Sequence, residues 1–235
     1  MNPIQSFQIF EGKGGEYDHK EDHAQSKTQT LNLQNLTAAT RVSDIPSKVK
    51  ETLVFYAKTE KLAHLNYEPV GFINHTSWKP QSPPLLSQNR SAWDENQLVP
   101  FIGLTSNEPT RVDIVINNLD DGAHPFHLHG HSFYVLSSHR DEGRGGWGSY
   151  NPHSGGQPPN GLNLDFPLRK DTVSVPRRGH IVLALVADNP GMWMLHCHML
   201  VHMARGMAMA IHVGDVADAE HVISADFAAG ELCRR

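Results

Sequence analysis

Hydrophobic and polar positions alternate over short runs of this chain, which is the pattern of β-strands. In residues 110–119, Val112, Ile114 and Ile116 fall on one face and Arg111 and Asp113 on the other, as a pleat of period two requires. Further runs rich in β-formers predict strands at 52–57, 133–136, 172–175, 180–186 and 207–213. Turn signals at 120–122, 177–179 and 188–191 separate them. Many short strands without a long helix predict an all-β sandwich or barrel.

The polarity of the chain changes towards both ends. Residues 1–48 are polar and irregular, which favours a linker or the remnant of a preceding domain, with a short ordered cap as the alternative. Residues 49–215 are the predicted β domain, and residues 216–235 are interpreted as a tail. Residues 137–169 are rich in Gly and Pro and predict a long loop, either beside a substrate approach or as a plain surface excursion.

Composition and charge exclude several classes of protein. The chain has 235 residues, of which 39% are hydrophobic and 19% charged, a balance typical of one sizeable globular domain. The net charge of −5 gives no reason to expect a nucleic-acid partner. No apolar run approaches the roughly 18 residues of a membrane helix, so no membrane partner is expected.

Histidine is over-represented, with 16 residues, and it is concentrated in two clusters. The first histidine cluster is His124-Pro-Phe-His127-Leu-His129-Gly-His131. The second histidine cluster is His196-Cys197-His198, followed by His202 and Met207. A thiolate, imidazoles and a distant thioether are the ligands of a blue-copper site. The pairing of these clusters therefore predicts copper redox chemistry.

Strand geometry suggests how the ligands divide. His196 and His198 share one face of a strand and Cys197 points to the other, so two metal centres can lie on either side of the strand, joined by covalent bonds. His127 and His129 are two residues apart and can both serve the second centre. The first site would contain His124, Cys197 and His202, with Met207 weakly axial.

Simpler interpretations compete with this one. A zinc site could use the His-Cys-His sequence, although it has no need of Met207 or of six histidines. Met207 taken alone is more typical of a core residue than of a ligand, since Met199, Met203 and Met209 surround it in the sequence. Histidines without a spacing argument are interpreted as structural, and Asp165 and Asp171 as solvated rather than as groups that orient a substrate or a ligand histidine; these histidines are His131, His139, His180 and His212.

Processing signals point to a secreted protein. Glycosylation sequons begin at Asn35, Asn74 and Asn89. The first residues have neither the basic region nor the apolar run of a signal peptide. We therefore expect a piece of a longer secreted precursor, with a cytosolic protein as the alternative. If Cys197 binds metal, Cys233 has no partner within the chain.

The two clusters resemble the two C-terminal copper signatures of the multicopper oxidases, a family that includes laccases, ascorbate oxidases and ferroxidases. Residues 69–78 and 94–100 are similar to the start of the last domain in fungal, laccase-like members. The likeness covers roughly residues 50–215. It implies a cupredoxin fold, which is a Greek-key β-sandwich.

The resemblance also implies a role for each ligand residue. His124, Cys197, His202 and axial Met207 would hold type 1 copper, where the reducing substrate gives up electrons. His127 would serve type 2 copper. The remaining three, His129, His196 and His198, would serve the type 3 pair. In the family these last three coppers form a trinuclear cluster where O₂ is reduced to water.

The sequence indicates the reducing substrate less directly than it indicates the copper ligands. A phenol or a similar small molecule would be oxidised by single electrons that enter at His202 or His124 and leave through Cys197. A ferroxidase is the alternative, and it needs acidic residues beside type 1 copper. Asp94, Glu95 and Asp165 are the candidates.

The chain departs from the family pattern in one respect. The other half of the trinuclear ligands, a His-x-His-Gly and a His-x-His, do not occur before residue 124. We therefore expect a complete type 1 site and half a trinuclear site. The favoured interpretation is the C-terminal part of a longer oxidase, lacking an N-terminal cupredoxin domain. A separate chain that supplies the other ligands, and a non-enzymatic copper or electron-transfer module, are the alternatives.

Overall fold

The computed structural model describes residues 33, 36–104, 109–141, 148–159 and 161–215. The interpretations of residues 1–32, 34–35 and 216–235, including those that concern Asn35 and Cys233, lie outside these residues. Within the described part of the chain, no helix has the length and apolar character needed to cross a membrane.

Strands account for most of the regular structure. In chain order they are β1 (Val49–Lys61), β2 (Pro69–Ile73), β3 (Phe101–Leu104), β4 (Thr110–Asn118), β5 (His124–Leu128), β6 (Phe133–Arg140), β7 (Leu168–Lys170), β8 (Thr172–Val175), β9 (Gly179–Ala187), β10 (Gly191–Cys197) and β11 (Ala208–Asp215). One short helix, α1 (Leu200–Ala204), lies between β10 and β11. Short 3-10 helices occur at Ala63–Leu65, Leu85–Ser87, Arg90–Ala92 and Pro152–Ser154.

The strands form two sheets. The first sheet has the order β2-β1-β4-β9-β6-β7 and the second sheet the order β3-β11-β10-β5-β8. The pairs β1–β4 and β3–β11 are parallel, and the other pairs are antiparallel. The predicted all-β, cupredoxin-like sandwich is therefore confirmed.

The long loop predicted at 137–169 is wrong at its ends. β6 continues to Arg140, and β7 begins at Leu168. Pairing of β6 with β9 extends from Phe133 to Arg140 across one register shift. The composition of Ser137-Ser-His-Arg140 does not favour a strand. Pairing with β9 stabilises the strand there instead.

The largest apolar cluster among the described residues lies where the two sheets face each other. Ile114 and Ile116 of β4 pack there with Phe126 of β5 and Leu195 of β10. Cys197 is fully buried in the same cluster. The thiol therefore sits at the edge of a rigid core, which limits its movement.

The opposite face of β4 is also buried, although its charged residues predict exposure. The Arg111 guanidinium donates to both carboxylate oxygens of Asp113, over 2.7 and 2.9 Å, and also donates to the Pro46 carbonyl over 3.2 Å. Val42 and Ile45 pack against this side of the first sheet. Residues 42–46 thus cover a face that an antiparallel sheet often leaves to water.

Candidate metal centre

Strand register brings the two histidine clusters side by side. β5 pairs with β10 so that His127 lies opposite His196, and Phe126 opposite Cys197. His124 starts β5, and Cys197 ends β10. Both clusters therefore meet at one end of the second sheet.

Three ligand atoms converge on the first site. The Cys197 Sγ lies 3.7 Å from His124 Nδ1 and 3.8 Å from His202 Nδ1, and the two Nδ1 atoms are 3.1 Å apart. Among the described residues, no other three His, Cys, Asp or Glu side chains converge in this way. Two imidazoles with one thiolate form the donor set that suits a blue-copper ion, so the residues fit the metal that the sequence predicts.

A short loop carries His202 back to the cysteine. The His198 amide donates to the Pro125 carbonyl over 2.6 Å, and α1 follows directly. The Met207 amide then donates to the His202 carbonyl over 2.9 Å, and the Cys197 amide donates to the Met207 carbonyl over 3.0 Å. The fully buried Met207 is thereby joined to both Cys197 and His202 through the backbone.

Asp120 orients His124, a role that the sequence analysis did not assign. Its Oδ2 accepts from His124 Nε2 over 2.8 Å and from the Thr59 hydroxyl over 2.8 Å, and its Oδ1 accepts from the Thr59 amide over 3.0 Å. A histidine that binds metal commonly donates its other ring N–H to a carboxylate in this manner. The only signal in the sequence was the position of Asp120, four residues before His124 in a segment interpreted as a turn.

The electrostatics of His124 follow from this contact. Burial by itself lowers its pKa, but the hydrogen bonds to Asp120 and to the Cys197 sulfur outweigh burial and raise the pKa to about 9. Burial also opposes the lowering of the Asp120 pKa, which results from the bonds that His124 and Thr59 donate. For His202, burial and the neighbouring His124 charge lower the pKa. The contacts with Asp120 and Cys197 therefore favour positive charge on His124, and that charge disfavours a second one on His202.

The other four predicted ligand histidines form a second group, which we call the four-histidine face: His127, His129, His196 and His198. His127 Nδ1 donates to the Asp171 carbonyl over 3.0 Å and lies 2.9 Å from the Thr172 hydroxyl oxygen. His196 Nδ1 donates to the Cys197 carbonyl over 3.0 Å. Both rings therefore use Nδ1 to contact the backbone, which makes Nε2 the nitrogen that could bind a metal.

Ring contacts join the members of the four-histidine face. The Nε2 atoms of His129 and His196 are 3.1 Å apart. The rings of His196 and His198 are stacked at 5.7 Å between centroids. Partial desolvation of the His129 ring first, and then the charges of His127 and His198, lower the pKa of His129. Burial is also the largest cause of the lowered pKa of His196. Neutral imidazole is the form that binds a metal ion.

Comparison with known proteins decides the family. The family model described as multicopper oxidase matches residues 74–216. The chain belongs to the multicopper oxidase family. Members of this family are copper-dependent oxidoreductases, and the predicted family is confirmed.

Sequence relatives include both iron transport multicopper oxidases and laccases. The chain is 36% identical over 148 residues to the iron transport multicopper oxidase FET3 of Candida glabrata, covering 60% of this chain and 22% of that protein. It is 31% identical over 161 residues to Laccase-25 of Oryza sativa subsp. japonica, and the match covers 65% of this chain and 26% of that protein. The chain therefore spans about a quarter of the length of these relatives.

Solved structures share the fold. The crystal structure of Fet3p, a multicopper oxidase that functions in iron import, has a TM-score of 0.64 at 23% identity and covers 83% of this chain and 37% of its own. The laccase of Botrytis aclada has a TM-score of 0.62 at 25% identity, and the match covers 82% of this chain and 32% of the laccase chain.

None of the acidic residues named as candidates belongs to the converging group found among the described residues. Asp165 is exposed and pairs with Arg41. Asp171 contributes its backbone carbonyl, rather than its carboxylate, to His127. Asp94 and Glu95 line an open groove with His75. Asp120 is therefore the carboxylate that contacts a ligand histidine.

The other histidines of the multicopper oxidase domain occupy separate positions. His131, His180 and His212 are buried. His131 packs edge-to-face on Trp193, with ring centroids 5.7 Å apart, and His180 donates to the Gly148 carbonyl over 2.5 Å. His139 stacks obliquely on His180 at 5.4 Å. None of these four belongs to the converging group found among the described residues.

The surface beside His202 is apolar. Met199, Leu200 and Val201 are 43%, 71% and 62% exposed, and they directly precede this half-buried histidine. Exposed apolar residues that cluster at one place on a surface often mark a binding site.

Proposed function

We propose that the chain is the type 1 copper domain of a laccase-like multicopper oxidase. It would oxidise phenolic or similar small donors by one electron at a time, coupled in the full-length enzyme to reduction of O₂ to water. The proposal is carried by the convergence of Cys197 Sγ with the Nδ1 atoms of His124 and His202, immediately beside four further histidines.

The residue roles are part of the proposal. His124, Cys197 and His202 would bind type 1 copper, with Met207 as a weak axial ligand. His127 would serve type 2 copper, and His129, His196 and His198 the type 3 pair. Bound copper supplies the one-electron redox couple, while the protein sets the geometry of the ligands and their hydrogen bonds.

The chain itself offers a continuous path for an electron. His202 is half-buried and presents its ring beside the surface, whereas His124 is buried. Cys197 is bonded covalently to His196 and His198, and its carbonyl also accepts from His196 Nδ1 over 3.0 Å. The route from His202 through Cys197 to the four-histidine face therefore contains both covalent and hydrogen-bonded segments.

The apolar surface at Met199, Leu200 and Val201 favours an aromatic donor. An aromatic ring gains free energy by covering apolar surface, at about 25 cal/mol per Å². A hydrated metal cation gains nothing from such a surface. The phenolic donor is therefore the first choice for the substrate.

Copper content and the visible spectrum of the reconstituted chain are the first test. About one strongly bound copper with an intense blue absorption band is expected. Cys197→Ser should remove the band, because the thiolate ligand is lost, whereas Cys233→Ser is the matched control and should retain it. A Cys197→Ser protein that stays blue would contradict the assignment.

Oxygen uptake separates the enzymatic and non-enzymatic versions of this proposal. A blue chain without O₂ uptake would be an intact type 1 domain that needs a second cupredoxin domain, in the same chain or in a partner. Uptake of O₂ by the chain alone, with several coppers bound, would mean that self-association supplies the other histidines. A non-enzymatic copper module predicts that adding such a domain never restores uptake.

A ferroxidase is the second candidate, and Asp120 is the observation that favours it. Its carboxylate bonds to His124, so an anionic group lies next to a ligand histidine. Both Asp120 oxygens, however, already accept hydrogen bonds from Thr59 or His124. Because these hydrogen bonds already use both oxygens, Asp120 has less capacity to bind a ferrous ion. A ferroxidase is therefore the second choice.

Reduction of the oxidised blue site by Fe²⁺ and by hydroquinone, followed as bleaching in a stopped-flow instrument, distinguishes the two donors without any O₂ chemistry. We expect faster bleaching by hydroquinone. Leu200→Gln should slow hydroquinone and leave Fe²⁺ unchanged, with Leu65→Gln, an exposed leucine elsewhere, as the control. Faster bleaching by Fe²⁺ would favour the ferroxidase.

Export of the protein as part of a longer precursor belongs to the same proposal. Asn89 is exposed, so a glycan there would extend into solvent. The side chain of Asn74, by contrast, already accepts a hydrogen bond from the Tyr56 amide over 2.9 Å. Secretion from a eukaryotic host followed by mass spectrometry should detect a glycan that Asn89→Gln removes.

A further inference from the structure

The turn that carries His129 has an unusual backbone. Gly130, between His129 and His131, has a φ of +69°, a conformation that glycine adopts without strain. A Cβ atom at Gly130 would overlap the indole ring of Trp193. The turn therefore lies directly against that ring.

Trp193 and Asn189 close a ring of contacts around this turn. The Trp193 Nε1–H donates to the Asn189 carbonyl over 2.8 Å. The Asn189 Nδ2–H donates to the Gly130 carbonyl over 2.9 Å. The indole also lies close to Gly191, where a Cβ would come within 2.9 Å of Cζ2. We call Asn189, Trp193 and Gly130 the indole clasp.

His129 depends on its backbone for its position more than His127 and His196 do. His127 and His196 each have an Nδ1 hydrogen bond to a backbone carbonyl, which fixes the ring. His129 is exposed, and among the described residues its ring atoms approach a hydrogen-bonding partner only at His196 Nε2, 3.1 Å away. The His129 amide donates to the Met194 carbonyl over 2.9 Å. The next residue, Gly130, is held by the indole clasp.

We propose that Trp193 and Asn189 are positioning residues that hold the Gly130 turn and thereby set the His129 imidazole against His196 in the four-histidine face. The inference rests on the proposed function, since it gives His129 the role of a metal ligand. Residues that orient metal ligands typically change metal affinity by about 10–100-fold when they are replaced. Trp193 would act through His129 without touching the metal.

Cu²⁺ binding in a Cys197→Ser background tests the proposal, because type 1 binding is then removed. The His129→Ala variant of this background defines the loss of binding through His129. Trp193→Leu is expected to weaken this His129-dependent binding about 10-fold or more and to change the nitrogen couplings in the electron paramagnetic resonance spectrum. Trp193→Phe keeps a ring against Gly130 and should lie between Trp193→Leu and the parent. Asn189→Ala should also weaken binding.

A matched control and a readout without metal complete the experiment. Trp93→Leu replaces a partly buried tryptophan that packs in a separate cluster with Leu85, and it should leave the His129-dependent affinity unchanged. Nuclear Overhauser contacts between the rings of His129 and His196 should be present in the metal-free parent and lost in Trp193→Leu. Circular dichroism checks that each variant is folded.

The outcomes separate the two proposals. Retention of both the ring contact and the Cu²⁺ affinity in folded Trp193→Leu and Asn189→Ala would overturn the positioning role. If the parent has the ring contact but binds no Cu²⁺ through His129, the assigned copper role fails. The ring contact in the variants then decides the positioning role by itself.

Discussion

Cys197 is the residue on which both parts of the site depend. It ends β10, where alternation of side chains sends its sulfur towards His124 and His202 and its neighbours His196 and His198 towards the four-histidine face. Because the sulfur is fully buried in the core, its position is set by packing. His124, His127 and His196 are then oriented by hydrogen bonds of their own, of which the bond from His124 to Asp120 is the clearest.

Asp120→Asn is expected to weaken copper binding at the first site by about 10-fold. An amide accepts a weaker hydrogen bond from His124 than a carboxylate does, so the ring is less firmly held. Competition with a chelator, followed by the blue band, measures the change. Asp121→Asn is the control, since Asp121 pairs at the surface with Arg178. Equal effects of the two variants would remove the orienting role of Asp120.

At the scale of elements, β2 closes over the loop that ends at Met207. The Gly71 amide donates to the Arg205 carbonyl over 2.8 Å. A Cβ at Gly71 would lie 2.7 Å from the Cβ and the amide nitrogen of Met207. Only a glycine lets β2 approach this closely, so the strand and the ligand loop are packed as one unit.

Gly71→Ala is expected to lower the free energy of unfolding by about 1–3 kcal/mol, because the methyl group overpacks the contact with Met207. Displacement of Met207 should also shift the blue absorption band. Chemical unfolding and the visible spectrum provide the two measurements. Gly122→Ala is the control, since a Cβ there would meet no atom within 4 Å. An unshifted band in a destabilised Gly71→Ala would argue against Met207 as a ligand.

β4 carries a buried ion pair on the face away from the core. Arg111 and Asp113 are both buried, and their side chains form two hydrogen bonds to each other. Removal of one partner leaves the other charge uncompensated in a region of low dielectric constant. Such a change costs far more than the loss of an exposed pair.

Asp113→Asn is therefore expected to lower the free energy of unfolding by about 3–5 kcal/mol. Glu60→Gln is the comparison, because its partly exposed pair with Lys58 should contribute less than about 1 kcal/mol. Denaturant titration of both variants measures the difference. Similar losses would mean that water or another group compensates Arg111.

At the scale of the whole molecule, residues 36–48 belong to the packing of the first sheet. The Ala38 amide donates to the Phe166 carbonyl and the Val42 amide to the Asp165 carbonyl, each over 2.9 Å. The Tyr134 hydroxyl donates to Asp44 Oδ2 over 2.6 Å. This part of the segment predicted as linker or remnant therefore covers the outer face of the sheet.

Tyr134→Phe should lower the free energy of unfolding by about 1–3 kcal/mol near neutral pH, because the bond to the Asp44 carboxylate is lost. Burial first, and then the bond to Asp44, raise the pKa of Tyr134 to about 12. The folded state keeps a proton that an unfolded tyrosine loses near pH 10. The stability from this pair is therefore present below about pH 10 and lost as the pH rises towards 12.

Unfolding measured at pH 8 and at pH 11 checks this pH dependence. The difference between the parent and Tyr134→Phe should be larger at pH 8. Tyr67→Phe, at a tyrosine that is 66% exposed, should show no comparable difference. A gap between parent and Tyr134→Phe that stays constant with pH would contradict the role of the Asp44 bond.

The local pattern of the chain was sufficient to predict the class of fold and the separation of the ligands into two groups. Alternation determines which side chains share a face, and the spacing within His196-Cys197-His198 determines that the sulfur and the two rings point apart. Short strands such as β2, β3 and β7 were not predicted, because pairing with partners far along the chain stabilises them rather than their own composition.

Only the tertiary structure decided which groups meet. The register of β5 on β10 brings His127 opposite His196, and no local pattern contains that register. The sequence pattern indicates only that Asp120 is a turn residue. In the folded protein, Thr59 and His124 donate hydrogen bonds to its two carboxylate oxygens. The sequence by itself determined the chemistry of the ligands, because residue identity and spacing are local. The contacts that orient those ligands link residues far apart in the chain, so they exist only in the folded protein.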